Sequence, residues 1–332
     1  MVCLSLVSGG LRSTTNGLKS DHISTRTKVV PRMLYNMSTT AVHRLQSVGL
    51  HLSQDNRTQI QGTSMSDQTK YREKLKGDHV LVIGGSSGLG YAAAEAAHEH
   101  GSRITISSSS QKRLDDAISA LKKSYPSASS RVAGYPCNLA DETTLENNVQ
   151  ELFKKVGSVD HVIFTAGDSL AQIPLQDATL AKIKQAGMVR FFAPIIVAKE
   201  AAKYLSPGPK SSITLTTGAV SERPIPGWAV VGAWAGGLHA MMRGLALDLK
   251  PVRVNLISPG TVDTEMWAGL SEETKKAIFA DTEGVMTTGK IGKAADVAEA
   301  YMYCLRDQNL TGSVISTNGG VLLTGWNQGS RK

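Results

Sequence analysis

Three side chains have the types and settings to do chemistry: Asp168 directly after Phe164-Thr-Ala-Gly167, Arg190 within Met188-Val-Arg-Phe-Phe, and Trp228 within Arg223-Pro-Ile-Pro-Gly-Trp. A carboxylate at a loop mouth can stabilise a developing cation or remove a proton as a general base. A guanidinium nearby can hold that carboxylate ionised or orient a substrate carbonyl. An indole on a proline-pinned loop can stack on a planar or cationic partner. Each also has a plainer role open to it: helix cap or turn residue for Asp168, surface ion pair for Arg190, packing for Trp228. Trp234 and Trp267 would extend an apolar, aromatic pocket suited to a bulky hydrophobic substrate. Cys3, Cys137 and Cys304 are too few and too dispersed for a metal site or a disulfide framework.

These groups need a scaffold, and it starts at His79-Val-Leu-Val-Ile-Gly-Gly-Ser-Ser-Gly-Leu-Gly90, followed by Tyr91-Ala-Ala-Ala-Glu-Ala-Ala-His. The pattern reads as strand, tight turn and helix. Gly84, Gly88 and Gly90 allow the sharp turn, the close approach of a pyrophosphate and helix-on-strand packing. Ser86, Ser87 and Leu89 lie in the same turn, whose amides face the phosphates. A second strand, Arg103-Ile-Thr-Ile-Ser-Ser-Ser-Ser-Gln-Lys-Arg, ends in hydroxyls with basic neighbours and without an acidic residue. Ser107, Ser108, Ser109, Lys112 and Arg113 therefore suit a ribose 2′-phosphate, which favours NADP(H) over NAD(H); a polar surface loop is the alternative.

Further strands are expected at 131–137, 159–167, 212–217, 252–257 and 313–317, with helices at 145–155, 189–205 and 233–249. Strands alternating with helices predict an α/β fold: a single doubly wound Rossmann-type domain with a parallel seven-stranded sheet and ligands at the carboxyl ends of its strands.

Residues 75–325 resemble a short-chain dehydrogenase/reductase. Cys137-Asn-Leu resembles that family's adenine contact, with Asn138 in place of Asp and Leu139 after it, and Phe164-Thr-Ala-Gly167 resembles its Asn-Asn-Ala-Gly motif through Ala166 and Gly167. Ser258-Pro-Gly-Thr-Val-Asp-Thr264 matches the nicotinamide-side loop, so the resemblance implies that Pro259, Gly260, Val262 and Thr264 contact the cofactor. Leu310 to Gly320 matches the closing strand and turn.

The family's active-site Tyr-x-x-x-Lys is missing, for no tyrosine lies between Tyr204 and Tyr301 and no lysine between Lys210 and Lys250. Anchoring on Leu245-Ala-Leu-Asp-Leu249 puts Val231 at the tyrosine and Ala235 at the lysine, with Arg190 at the usual asparagine and Thr217 or Gly218 at the usual serine. Hydride delivered to a carbonyl makes an alkoxide that needs a proton, whereas hydride delivered to a cation needs none. The pattern resembles an atypical branch that includes fungal reductase/Diels–Alderases of bicyclic indole alkaloid pathways. That resemblance implies NADPH-dependent reduction of an iminium followed by an intramolecular cycloaddition. A nucleotide-binding scaffold without turnover, and a carbonyl reductase using Asp168 or water as proton source, remain alternatives. The family also implies a homo-oligomer, dimer or tetramer, paired through the helices near Val189 and Ala233.

The chain of 332 residues carries a net charge of +8. Residues 1–64 hold seven Lys/Arg against two Asp/Glu and are Ser/Thr-rich, which suggests a disordered extension, a transit peptide, or a start of translation at Met65. The rest, residues 65–332, is nearly balanced in charge and suits one NADP(H)-binding domain, with no nucleic-acid partner expected. No run approaches the roughly 20 apolar residues of a membrane span, and the cysteine pattern points to the cytoplasm.

Overall fold

The computed structural model describes residues 67–170 and 172–324, so the expectations for residues 1–64 fall outside it. Strand β1 (His79–Ile83) is buried at every residue, as a central parallel strand covered on both faces must be. The turn begins at Gly84, whose φ of 93° favours glycine, and leads into α1 (Gly88–Glu99), an alanine-rich helix. Next come β2 (Arg103–Ser108), α2 (Gln111–Ser124), β3 (Val132–Pro136), α3 (Leu145–Val156) and β4 (His161–Phe164). Ser110 caps α2 by accepting from the Arg113 amide at 3.4 Å.

After β4 the chain forms α4 (Leu180–Gly187), a π-helical turn at Met188–Phe192 and α5 (Ala193–Ala201). Strand β5 (Ser212–Thr216), α6 (Ala229–Asp248) and β6 (Arg253–Pro259) follow. A two-strand ribbon pairs β7 (Val262–Asp263) with β8 (Gly292–Lys293); α7 (Glu272–Glu283) lies between its strands in sequence. The chain continues through α8 (Ala294–Arg306), β9 (Val314–Thr317) and α9 (Val321–Thr324).

The main sheet has seven parallel strands in the order β3-β2-β1-β4-β5-β6-β9. Alternate residues of β1 feed two cores. Leu81 and Ile83 pack with Val149 and Phe153 of α3, Val197 of α5 and Met242 of α6. Val80 and Val82 pack with Ala93 and Ala97 of α1, Leu114 of α2 and Tyr301 of α8. The strand order reverses at β1 and β4, which opens a crevice at their carboxyl ends.

Several boundaries differ from those expected. The helix expected over 189–205 stops at Ala201, because Val159 and Leu205 pair as an isolated bridge and the Ser206 amide donates to the Val159 carbonyl at 2.9 Å. Val159 is thereby held outside β4, which starts at His161. Helix α6 starts at Ala229 rather than Ala233, its first turn closed by the Gly232 amide on the Trp228 carbonyl at 2.7 Å. Arg131 belongs to a 3-10 turn before β3, and its guanidinium donates to the Ser102 carbonyl at 2.7 Å.

Candidate active site at the carboxyl edge of the sheet

The glycine turn wedges between β2 and β4. The Gly84 amide donates to the Ser107 carbonyl at 2.9 Å and the Thr165 amide to the Ile83 carbonyl at 2.8 Å. A Cβ at Gly84 would stand 2.5 Å from the Ala166 nitrogen, and one at Gly90 would stand 2.2 Å from the Gly84 carbonyl oxygen. Only glycine fits either place. Gly260 is fixed in the same way: an added Cβ would lie 2.8 Å from the Asn318 backbone at the end of β9.

The arrangement meets the demands of a dinucleotide. Helix α1 starts without an acidic residue in its first turn and without a side-chain cap from Ser87, so neither takes up its terminal amides. The Ser107 hydroxyl is buried without a hydrogen-bond partner, an arrangement that favours a ligand group able to satisfy it. Beside it the Ser86 hydroxyl donates to that of Ser108 at 2.9 Å, and Arg113 donates to the Ser109 hydroxyl at 3.3 Å. Lys112 instead pairs with Asp116 at 2.7 Å along the exposed face of α2, which turns its ammonium toward that carboxylate. Asn138, after β3, spends its Oδ1 on the Ala140 amide at 3.0 Å, with buried Leu139 beside it. On the far side Val262 is buried and Thr264 lies against the Gly88 position, so the loop after Pro259 faces the glycine turn.

Asp168 and Arg190 come together. Arg190 donates through Nε to Asp168 Oδ1 at 3.1 Å and through Nη2 to the Asp168 carbonyl. Its guanidinium lies flat on Gly167, where an added Cβ would stand 2.8 Å from three of its atoms. Burial lowers the Arg190 pKa and Asp168 opposes that shift. Arg190 owes this reach to the π-helical turn, an irregularity often found at functional sites. The turn was not legible in the sequence, because Met188-Val-Arg-Phe-Phe reads as ordinary helix.

Trp228 stands half-buried at the start of α6, and its indole makes no hydrogen bond with the described residues. Trp234, expected to extend an aromatic pocket, is half-buried. It packs 4.6 Å from the Phe191 ring and 5.4 Å from that of Phe192, and its Nε1 donates to the Ile183 carbonyl, so it mortars α4 and α6 together. Trp267 likewise donates to the Val262 carbonyl at 2.9 Å and packs on the edge of Phe279.

On α6, Val231 is buried, and the Ala235 carbonyl accepts from the Thr217 hydroxyl at 2.9 Å. No acid stands on that face at either position. Sequence reasoning missed a set of tethers just below it. The Ser221 hydroxyl and His239 Nε2 lie 2.8 Å apart, and the Ser258 hydroxyl donates to Glu222 at 3.2 Å. They tie the loop before Trp228 to α6 and to the strand preceding Pro259. His161 is buried, with its Nδ1 2.9 Å from the Ser212 hydroxyl at the opposite edge of the sheet.

Fold and crevice define a nucleotide-binding α/β oxidoreductase scaffold. A family profile described as an SDR-like Rossmann domain matches residues 71–324. The short-chain dehydrogenase/reductase fsr5 of Gibberella fujikuroi is 46% identical over 265 residues, 78% of this chain and 100% of that one. The solved structure of the MalC reductase/Diels-Alderase of Malbranchea aurantiaca is 40% identical with a TM-score of 0.72, covering 76% of this chain and 99% of its own. A small-chain dehydrogenase solved in complex with NADPH is 28% identical with a TM-score of 0.61, covering 75% and 100%. The chain belongs to the short-chain dehydrogenase/reductase family.

Proposed function

We propose that this protein is an NADPH-dependent reductase that delivers hydride to an iminium group of a hydrophobic secondary-metabolite intermediate, and that the same crevice then holds the product for an intramolecular Diels–Alder cycloaddition in alkaloid biosynthesis. The observation that carries this proposal is the α6 face bearing Val231 and Ala235, where the family's proton donor and its lysine would stand. The likeness to a reductase/Diels-Alderase supports it.

NADPH, when bound, supplies the hydride. The glycine turn and the α1 amides would hold the diphosphate, and Ser107, Ser109 and Arg113 the adenosine end. Asp168 places a negative charge where an iminium would lie, and Arg190 fixes its orientation through two hydrogen bonds. Neutralising a cation requires no acid, and cycloaddition is accelerated by orientation alone. The half-buried Trp228 offers a face on which a planar cation stacks. The proposal extends to a cytoplasmic homo-oligomer, dimer or tetramer, formed through α5 and α6, which expose Ile195 and Leu247.

The test is NADPH oxidation and product mass with a hydrophobic cyclic iminium, for the wild type and Asp168→Ala. The expected result is turnover by the wild type and its loss in the variant. NADPH binding without hydride transfer across an iminium panel would refute the proposal in favour of a scaffold. Ketone reduction abolished by Asp168→Asn would favour a carbonyl reductase.

A further inference from the structure

The loop after Pro259 brings a negative charge into the phosphate cradle. Glu265 opens the 3-10 turn Glu265–Trp267, and a Cβ at Gly88 would stand 3.4 Å from its Oε2. The carboxylate therefore lies against the residue that begins α1. Among the described residues it has no hydrogen-bond or ion-pair partner. The end of α1 that it meets has neither an acidic residue in its first turn nor a side-chain cap. A carboxylate and a diphosphate compete for the same amide-rich helix terminus.

We propose that Glu265 sets the affinity for the dinucleotide: its carboxylate, beside Gly88, repels the diphosphate held at the start of α1. The inference rests on the assignment of a dinucleotide to this crevice. The turn itself is held by the Ala268 amide on the Glu265 carbonyl at 3.0 Å and by the Trp267 indole on the Val262 carbonyl at 2.9 Å. That repulsion weakens binding below what the glycine turn and α1 alone would give, which speeds exchange of spent for fresh cofactor.

Calorimetric titration of wild type and Glu265→Gln with NADPH, ADP and 2′-AMP tests this. Glu265 is exposed, so the amide variant keeps the fold, which its melting curve checks. NADPH and ADP are expected to bind the variant about two- to fivefold more tightly, the range of a charge at a helix N-terminus. The gap should narrow as salt is raised. 2′-AMP, which lacks the 5′-diphosphate, should bind both proteins equally. Unchanged NADPH affinity, or an equal gain for 2′-AMP, overturns the role of Glu265. Failure of the wild type to bind NADPH or ADP overturns the dinucleotide assignment itself.

Discussion

Replacing Gly167 with alanine should disconnect Asp168 from Arg190 without touching either charge. Gly167 does not occupy the left-handed region, so alanine brings no backbone strain. The new methyl would meet the Cζ, Nη1 and Nη2 atoms of Arg190 at 2.8 Å, against ordinary contact distances of about 3.5–4.0 Å. The guanidinium must retreat by about 1 Å, which stretches the Nε to Oδ1 hydrogen bond from 3.1 Å beyond useful length. With the two side chains 30% and 37% exposed, the pair is worth about 0.5–1 kcal/mol. The melting temperature should therefore fall by no more than about 4 °C. On the proposed role of Asp168, iminium turnover should fall about tenfold or more, since its carboxylate would be free to rotate. Single-turnover NADPH oxidation, at cofactor concentrations shown by titration to saturate each variant, measures that loss. A double-mutant cycle with Arg190→Ala decides the cause. In that background the three atoms nearest the methyl are gone, so Gly167→Ala should have little further effect on turnover. An equal penalty in both backgrounds would refute the argument and assign Gly167 to the nucleotide alone.

Gly90→Ala should be far more damaging, because its Cβ would meet the Gly84 carbonyl oxygen at 2.2 Å and the Thr165 hydroxyl at 2.4 Å; urea unfolding should show a loss of about 3 kcal/mol or more. Ser107→Ala removes a buried hydroxyl without a partner, so the free protein should be as stable as wild type or about 1 kcal/mol more so, while NADPH titration shows weaker binding. Burial lowers the pKa values of His79, His98, His161 and His239. The folded chain thus binds fewer protons than the unfolded chain below the ordinary histidine value of 6.5. Stability should be full above that pH and decline as pH falls through the window beneath it, before carboxylates titrate. Urea midpoints that stay flat down to pH 5 would contradict this.

Much of the protein is written locally in its sequence. The β1 run, the turn from Gly84 to Gly90 and the alanine-rich α1 announce a nucleotide fold because backbone freedom and apolar patterning act over a few residues. The loss of tyrosine and lysine on α6 is equally a fact of composition, and it limits the chemistry before any coordinate is known. Tertiary structure decided what those local signals left open. Asp168 and Arg190, 22 residues apart, become an ion pair because the π-helical turn aims Arg190 onto Gly167. Trp234 packs on Phe191 and Phe192, and Lys112 turns to Asp116. Glu265 meets Gly88 of the glycine turn across a sequence separation of 177. Which polar side chains stay free for a ligand depends on packing between segments distant in sequence, and local propensity carries no record of that.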